Sequence, residues 1–333
     1  MTPRKIRRIN CVIENGKAIV NDYLIQIDNI SLCSAFKPGA NGIVFKAHDD
    51  FLNRPIAVKV WIPRRPSDTK MSKKALEEAK KIANLTHQNI VKIYAAGQLN
   101  NGLFYAVMEL LSGETLKDFI KKKQPLRIRL NLWHSISDAM NYAYNNKTYH
   151  GDLHDGNIIV YDEKIKIIDF GTSILAKKKL KNPLQRESKL LLKLVEEIFP
   201  EYNSLGVRSL NYLDMRPDIV LKICDTIVEI NYSINRMDIA IKGKDKSDIS
   251  RALFDIGIEY TKCPLFNLES IFKLFDGISL NKKYYSYFLD ILISSLIAEI
   301  KGIDKFDVSP DEKKTVEEKM AIVQPLLQEA RLL

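Results

Sequence analysis

The chain places an acid five residues before an amide, and a second acid where the next apolar run ends. Asp152 and Asn157 stand in Tyr149-His150-Gly151-Asp152-Leu153-His154-Asp155-Gly156-Asn157, and Asp169 stands in Ile168-Asp169-Phe170-Gly171. Two short apolar segments between them, Ile158 to Tyr161 and Lys164 to Ile168, read as strands bracketing a turn. Three oxygen-bearing side chains in this order suit metal-dependent phosphoryl transfer. One carboxylate faces an attacking hydroxyl, while the amide and the other carboxylate hold a divalent cation on phosphates.

Upstream the pattern is that of strands. Val12 to Lys17 reads as a hairpin with an Asn15-Gly16 turn, followed by strands over Tyr23 to Ile27, Ile43 to His48 and Pro55 to Trp61. A helix is expected from about Lys70 to Leu85, then strands over Val91 to Gln98 and Leu103 to Glu109. After Gly113 the pattern turns helical, first over Thr115 to Lys123 and then over Pro125 to Asn146. In the second, Leu130, Trp133, Ile136, Met140 and Ala143 share one buried face. From Leu184 onward the expected helices are 184–199, 217–241, 247–260, 267–276, 283–301 and 310–331.

With 333 residues, 46% hydrophobic and 28% charged, the chain is long enough for two lobes with a real core. A net charge of +10 favours anionic contacts. The four cysteines lack zinc-site or redox-pair spacing and read as free thiols. The basic N-terminus has no apolar stretch behind it. The apolar run from Tyr284 to Ile300 is interrupted by Asp290 and Glu299, so a buried helix is expected there and no transmembrane segment.

Tyr149 to Asn157 followed by Asp169-Phe170-Gly171 resembles the catalytic loop and DFG motif of the protein-kinase superfamily. The resemblance runs over about residues 32–173. It implies an α+β, bilobal fold, with an antiparallel sheet and one helix over 1–110 and a mostly helical lobe over 111–333. It implies ATP and Mg²⁺ as cofactors. Asp152 would orient the acceptor hydroxyl and take its proton, and Asn157 and Asp169 would bind the metal. Ile56-Ala57-Val58-Lys59 is similar to the strand whose lysine reaches the phosphates, with Glu78 as the partner of Lys59 and Glu77 as alternate. Gly39, Ala40, Asn41 and Gly42 would form a glycine-rich loop, although Lys37 stands where its first glycine belongs. Val44, Ala57 and Ile159 would sandwich adenine, with Met108 behind it and the backbone of Glu109 and Leu111 bonded to it.

The catalytic loop departs from the usual protein-kinase pattern. Gly151 replaces an arginine that reads a phosphorylated activation loop, so control of that kind is not expected. His154 replaces a lysine that often neutralises the transferring phosphate; it would either touch the γ-phosphate or brace the loop. HGDLHxxN is similar instead to loops of aminoglycoside and choline phosphotransferases and of atypical bacterial protein kinases, and no APE motif follows. The expected activity is a serine/threonine protein kinase. A small-molecule kinase and a pseudokinase-like regulatory module are the alternatives. The expected partner is a protein substrate, with an acidic one suggested by Lys121 to Lys123 and Lys177 to Lys181. DNA binding is not expected. The expected location is the cytoplasm, with signal-less release into a host left open.

Overall fold

The computed structural model describes residues 10–36, 42–62, 83–170, 183–201, 216–262 and 284–292, together with Ser294, Glu318, Ala321 and Pro325. The chain divides into two compact units, 1–190 and 191–333. The expected boundary at residue 110 lies inside the first.

The first unit opens on a small antiparallel sheet of β1 (Cys11–Glu14), β2 (Lys17–Val20) and β3 (Tyr23–Ile25). Asn15 and Gly16 both take positive φ, 49° and 75°, as a two-residue turn matched to strand twist requires. Alternation divides this sheet. Ala18, Val20 and Ile25 are buried in the core, while Val12, Ile19 and Leu24 are exposed.

A five-stranded antiparallel sheet follows, ordered β4 (Ile30–Ala35), β5 (Ile43–Asp49), β6 (Arg54–Trp61), β8 (Phe104–Glu109), β7 (Ile93–Gln98). β4 falls in the upstream stretch expected to be strands, though without bounds of its own. Its register shifts between Leu32 and Ser34, and this irregularity breaks the period-two pattern that marks a strand. The central strand β6 is apolar on both sides for different reasons. Ile56, Val58 and Val60 fill the main core with Phe45, Ile43 and Val107, whereas Ala57, Lys59 and Trp61 face the opposite way.

A third sheet, ordered β11 (Lys164–Ile167), β10 (Ile158–Tyr161), β9 (Glu114–Thr115), carries the acid–amide–acid set. The helix expected from Thr115 is shorter than read. Thr115 ends β9 and caps α1 (Leu116–Ile120), its side chain accepting from the Asp118 N–H at 3.3 Å. α2 (Leu126–Asn145) buries Leu130, Trp133, Ile136, Met140 and Ala143, the face expected. The segment His87 to Val91 joins this sheet to its surroundings. Val91 N–H donates to Ile167 O at 2.9 Å, Ile167 N–H donates to Asn89 O at 2.8 Å, and His87 Nε2 meets Asp138 of α2 at 3.1 Å.

The helices α3 (Pro183–Ile198), α4 (Pro217–Gly243) and α5 (Lys246–Lys262) agree with the later expectations. In the second unit Lys244, at φ 58°, closes α4, and Arg236 clamps α5 through Asp248 at 2.8 Å and Asp255 at 2.9 Å. The helices expected near 70–85 and 267–276 fall mainly or wholly outside the described residues. No described helix is long and apolar enough to cross a membrane. Among the described residues, Cys11, Cys33 and Cys224 form no disulfide.

Candidate active site

Alternation along β6 delivers Lys59 to the face opposite the main core, where it is 5% exposed. A buried ammonium needs an anion, and its partner is Asp169, Nζ to Oδ1 at 2.5 Å. Two of the four residues expected to carry the chemistry therefore meet across 110 positions of sequence. Asp169 follows β11 with φ 65°, a left-handed conformation uncommon for a side-chain-bearing residue and of the kind found at functional sites. Glu77 and Glu78, the expected partners of Lys59, lie outside the described residues, as do Gly39, Ala40 and Asn41. Gly42 is described. A Cβ there would run into the Val60 carbonyl, so β5 can enter the sheet this close to β6 only with glycine.

The loop before β10 is tied to itself. Asn157 donates from Nδ2 to Asp152 O at 2.9 Å, and its own carbonyl accepts from Ile168 N–H at 2.9 Å. With Nδ2 spent, Oδ1 is the atom left to face a cation. His154 braces the loop: it caps the short 3₁₀ turn Asp155–Asn157, and Nδ1 accepts from Gly156 N–H at 3.0 Å. Its Nε2 lies 3.9 Å from Asp152 Oδ2.

His150 is fully buried against the Phe170 ring, with centroids 4.6 Å apart. Nδ1 accepts from Asp152 N–H at 3.2 Å, so the proton sits on Nε2, which donates to Ile168 O at 2.8 Å. Burial pushes its pKa down from 6.5 to about 4 and keeps the ring neutral. A neutral imidazole thus couples the backbone at Asp152 to the backbone just before Asp169.

Two residues of α3 complete the site, and sequence reasoning named neither. Glu187 is fully buried. It accepts from His150 N–H at 2.9 Å, Gly151 N–H at 2.6 Å and Tyr144 O–H at 3.2 Å. Burial pushes its carboxyl up while these donors hold it down. The neighbouring Arg186 places Nη2 on Asp152 Oδ1. A signal for Glu187 was present: it shares a helical stripe with Leu191, Leu194, Val195 and Ile198, all buried. An acid on such a stripe needs donors.

The apolar part of the site gathers on the same face of β6. Ala57, Val91, Ala106 and Met108 form a buried cluster, with Val44, Trp61, Leu110, Leu111 and Ile168 packed against it. Four expected adenine contacts, Val44, Ala57, Met108 and Leu111, come together there. Ile159 is half-buried on β10, opposite Thr115, outside that cluster. Glu109 N–H donates to Lys92 O at 3.0 Å. Glu109 Oε1 also holds Lys166 at 2.7 Å and Lys92 N–H at 2.7 Å, a strut between two sheets of the first unit.

Oxygen donors from one amide and one carboxylate fit a hard cation such as Mg²⁺, which needs few protein ligands when phosphates supply the rest. Among the described residues no group of three or more His, Cys, Asp or Glu side chains could hold a metal. Of the basic runs, Lys121 is paired with Asp118 at 2.7 Å and Lys122 with Glu114 at 2.5 Å, and Lys177 to Lys181 lie outside the described residues.

In structure, the PknI kinase domain of Mycobacterium tuberculosis aligns with 61% of this chain and 98% of its own length, at a TM-score of 0.48 and 13% identity. In sequence, residues 38–189 match the family model described as protein kinase domain. A probable serine/threonine-protein kinase of Clostridium acetobutylicum is 35% identical over 159 residues, 47% of this chain and 23% of the relative. The serine/threonine-protein kinase PrkC of Bacillus subtilis is 33% identical over 136 residues, 40% of this chain and 21% of the relative. PknA of Mycobacterium tuberculosis is 33% identical over 140 residues, 40% of this chain and 32% of the relative. The chain thus spans between about a fifth and a third of the length of these curated relatives.

Proposed function

We propose that this chain, whose residues 38–189 match the protein kinase domain model, is a member of the protein-kinase superfamily and an ATP- and Mg²⁺-dependent protein serine/threonine kinase. The observation that carries the reading is the Lys59–Asp169 pair at 2.5 Å, formed in the same unit that binds Asp152 to Asn157. The β6 lysine and the acid after β11 meet where kinase chemistry needs a phosphate-binding cation beside a metal-binding carboxylate.

Lys59 holds the α- and β-phosphates of ATP. Ala57, Val44, Met108 and Leu111 enclose the adenine, which the Glu109 carbonyl and the Leu111 backbone orient. Asn157 and Asp169 hold Mg²⁺, which supplies charge neutralisation on the phosphates. Asp152 accepts the proton of the serine or threonine hydroxyl as that oxygen attacks the γ-phosphorus. His150 accepts from Asp152 N–H, Asn157 donates to Asp152 O, and Glu187 accepts from the His150 and Gly151 N–H groups, so the backbone on which Asp152 stands is fixed and the contribution is mainly positioning. The net charge of +10 suits an acidic substrate protein. Lys123 and the run Lys177 to Lys181 are the candidate docking groups. A cytoplasmic location is consistent with these roles.

The test incubates the purified chain with labelled ATP, Mg²⁺ and generic protein substrates, beside Asp152→Ala. Label on serine or threonine, reduced at least ~10²-fold in the variant with ATP binding retained, is the expected result. Label confined to small molecules, or full activity in the variant, would sink the reading.

A further inference from the structure

We propose that Arg186 is a further catalytic residue, the fixed cation that neutralises charge on the transferring phosphoryl group. The proposal rests on the kinase reading above.

Its first support is position. The Arg186 guanidinium bonds to Asp152 Oδ1, the carboxylate that would receive the acceptor proton. The next residue, Glu187, is locked by His150 N–H, Gly151 N–H and Tyr144 O–H. The helix backbone at Arg186 is therefore registered against the catalytic loop, and the guanidinium reaches Asp152 from a fixed base.

The second support is the histidine in the loop. His154 stands two residues after Asp152, but its Nδ1 is spent on Gly156 N–H, and an imidazole carries charge only when protonated. A guanidinium is charged at every working pH and presents five N–H donors in a plane, a geometry matched to phosphate oxygens. Among the described residues, Asp152 is the one partner of Arg186, so donors remain for a phosphate. Arg186 is 39% exposed and Asp152 29%, so the pair can be reached from solvent.

A stabilising role is a weak alternative. Ion pairs this exposed add little to stability. Positioned charge at a phosphoryl transition state is worth far more, on the order of 10³- to 10⁵-fold where an arginine supplies it.

In the step, the acceptor oxygen forms a bond to the γ-phosphorus, and the bond from that phosphorus to the β–γ bridging oxygen breaks. Its electron pair leaves with ADP. The acceptor proton passes to Asp152 Oδ2, the oxygen Arg186 does not hold. Arg186 keeps one donor on Oδ1 and turns others to the equatorial phosphoryl oxygens as charge spreads over them.

The experiment uses the full 333-residue chain with Arg186→Ala, Arg186→Gln and Arg186→Lys. kcat should fall at least ~10²-fold in the alanine and glutamine variants while KM for ATP stays within roughly threefold. Lysine should recover part of the rate, and added guanidinium ion should rescue alanine. A second readout needs no turnover. Wild type should bind Mg²⁺·ADP more tightly with aluminium fluoride, a mimic of the flying phosphoryl group, and Arg186→Ala should lose that increment while keeping its affinity for ADP alone. The proposal is overturned if kcat of Arg186→Ala stays within roughly threefold of wild type. It is also overturned if thermal midpoint and ADP affinity fall together with rate, since that marks a structural residue. If wild type transfers no phosphate, the kinase reading fails by itself and the fluoride increment decides. An equal increment in wild type and variant, or none in either, overturns the role of Arg186.

Discussion

Glu187→Gln is the substitution whose cost the structure allows one to work out. Glu187 Oε1 accepts from Tyr144 O–H and His150 N–H, and Oε2 accepts from Gly151 N–H at 2.6 Å. Glutamine keeps the shape but offers one carbonyl. Placed where Oε1 stands, that carbonyl still serves Tyr144 and His150, and the Gly151 N–H then faces an NH₂ group. A buried N–H left unpaired costs about 1–3 kcal/mol, and turning two charge-assisted bonds into neutral ones removes roughly 1 kcal/mol each. Against this, glutamine escapes the burial penalty that pushes the Glu187 carboxyl up. The net loss is about 2–4 kcal/mol, which lowers the thermal midpoint by roughly 4–16 °C for a unit of this size. The same loss read locally is a rise of roughly 30- to 900-fold in hydrogen exchange at the His150 and Gly151 amides. Thermal unfolding and exchange mass spectrometry over residues 149–153 measure both. Glu187→Ala, which strands both amides, should cost more. A midpoint within about 1 °C of wild type, with unchanged protection in both variants, would refute the claim that Glu187 holds the catalytic loop.

His150 predicts a pH dependence. Its folded pKa of about 4 lies below the unfolded 6.5, so between these values the unfolded chain binds a proton that the folded chain does not. Stability should therefore be lost as pH falls from 6.5 towards 4, by up to roughly 3 kcal/mol, and His150→Gln should flatten that part of the curve; an unchanged slope in the variant would assign the loss to other groups. For Lys59 and Asp169, a double-mutant cycle of Lys59→Met and Asp169→Asn should give a coupling of about 1–3 kcal/mol in unfolding free energy. Zero coupling would mean that the pair does not form in solution.

Much of the site was legible because its signals are local. The Asn15-Gly16 turn, the alternation Ile56-Ala57-Val58-Lys59 and the buried stripe of α2 each declare themselves within one element, through backbone preference and the periods of strand and helix. The spacing of Asp152, Asn157 and Asp169 is equally local, since a loop and a hairpin set it. Even here a bulge was enough to blur the bounds of β4, because one slipped residue cancels the alternation.

The strand-then-helix order, the buried faces and the candidate residues for the chemistry can be read from the chain alone. Only the tertiary structure decided which charges meet. Lys59 lies 110 residues from Asp169, Arg186 lies 34 from Asp152 and Glu187 lies 36 from Gly151. In the chain, Arg186 and Glu187 read as two more charged residues of a helix. They become parts of the site because folding buries Glu187 and sets each beside the group that satisfies it. That selection depends on burial and distance, which belong to the packed chain and to no short stretch of it.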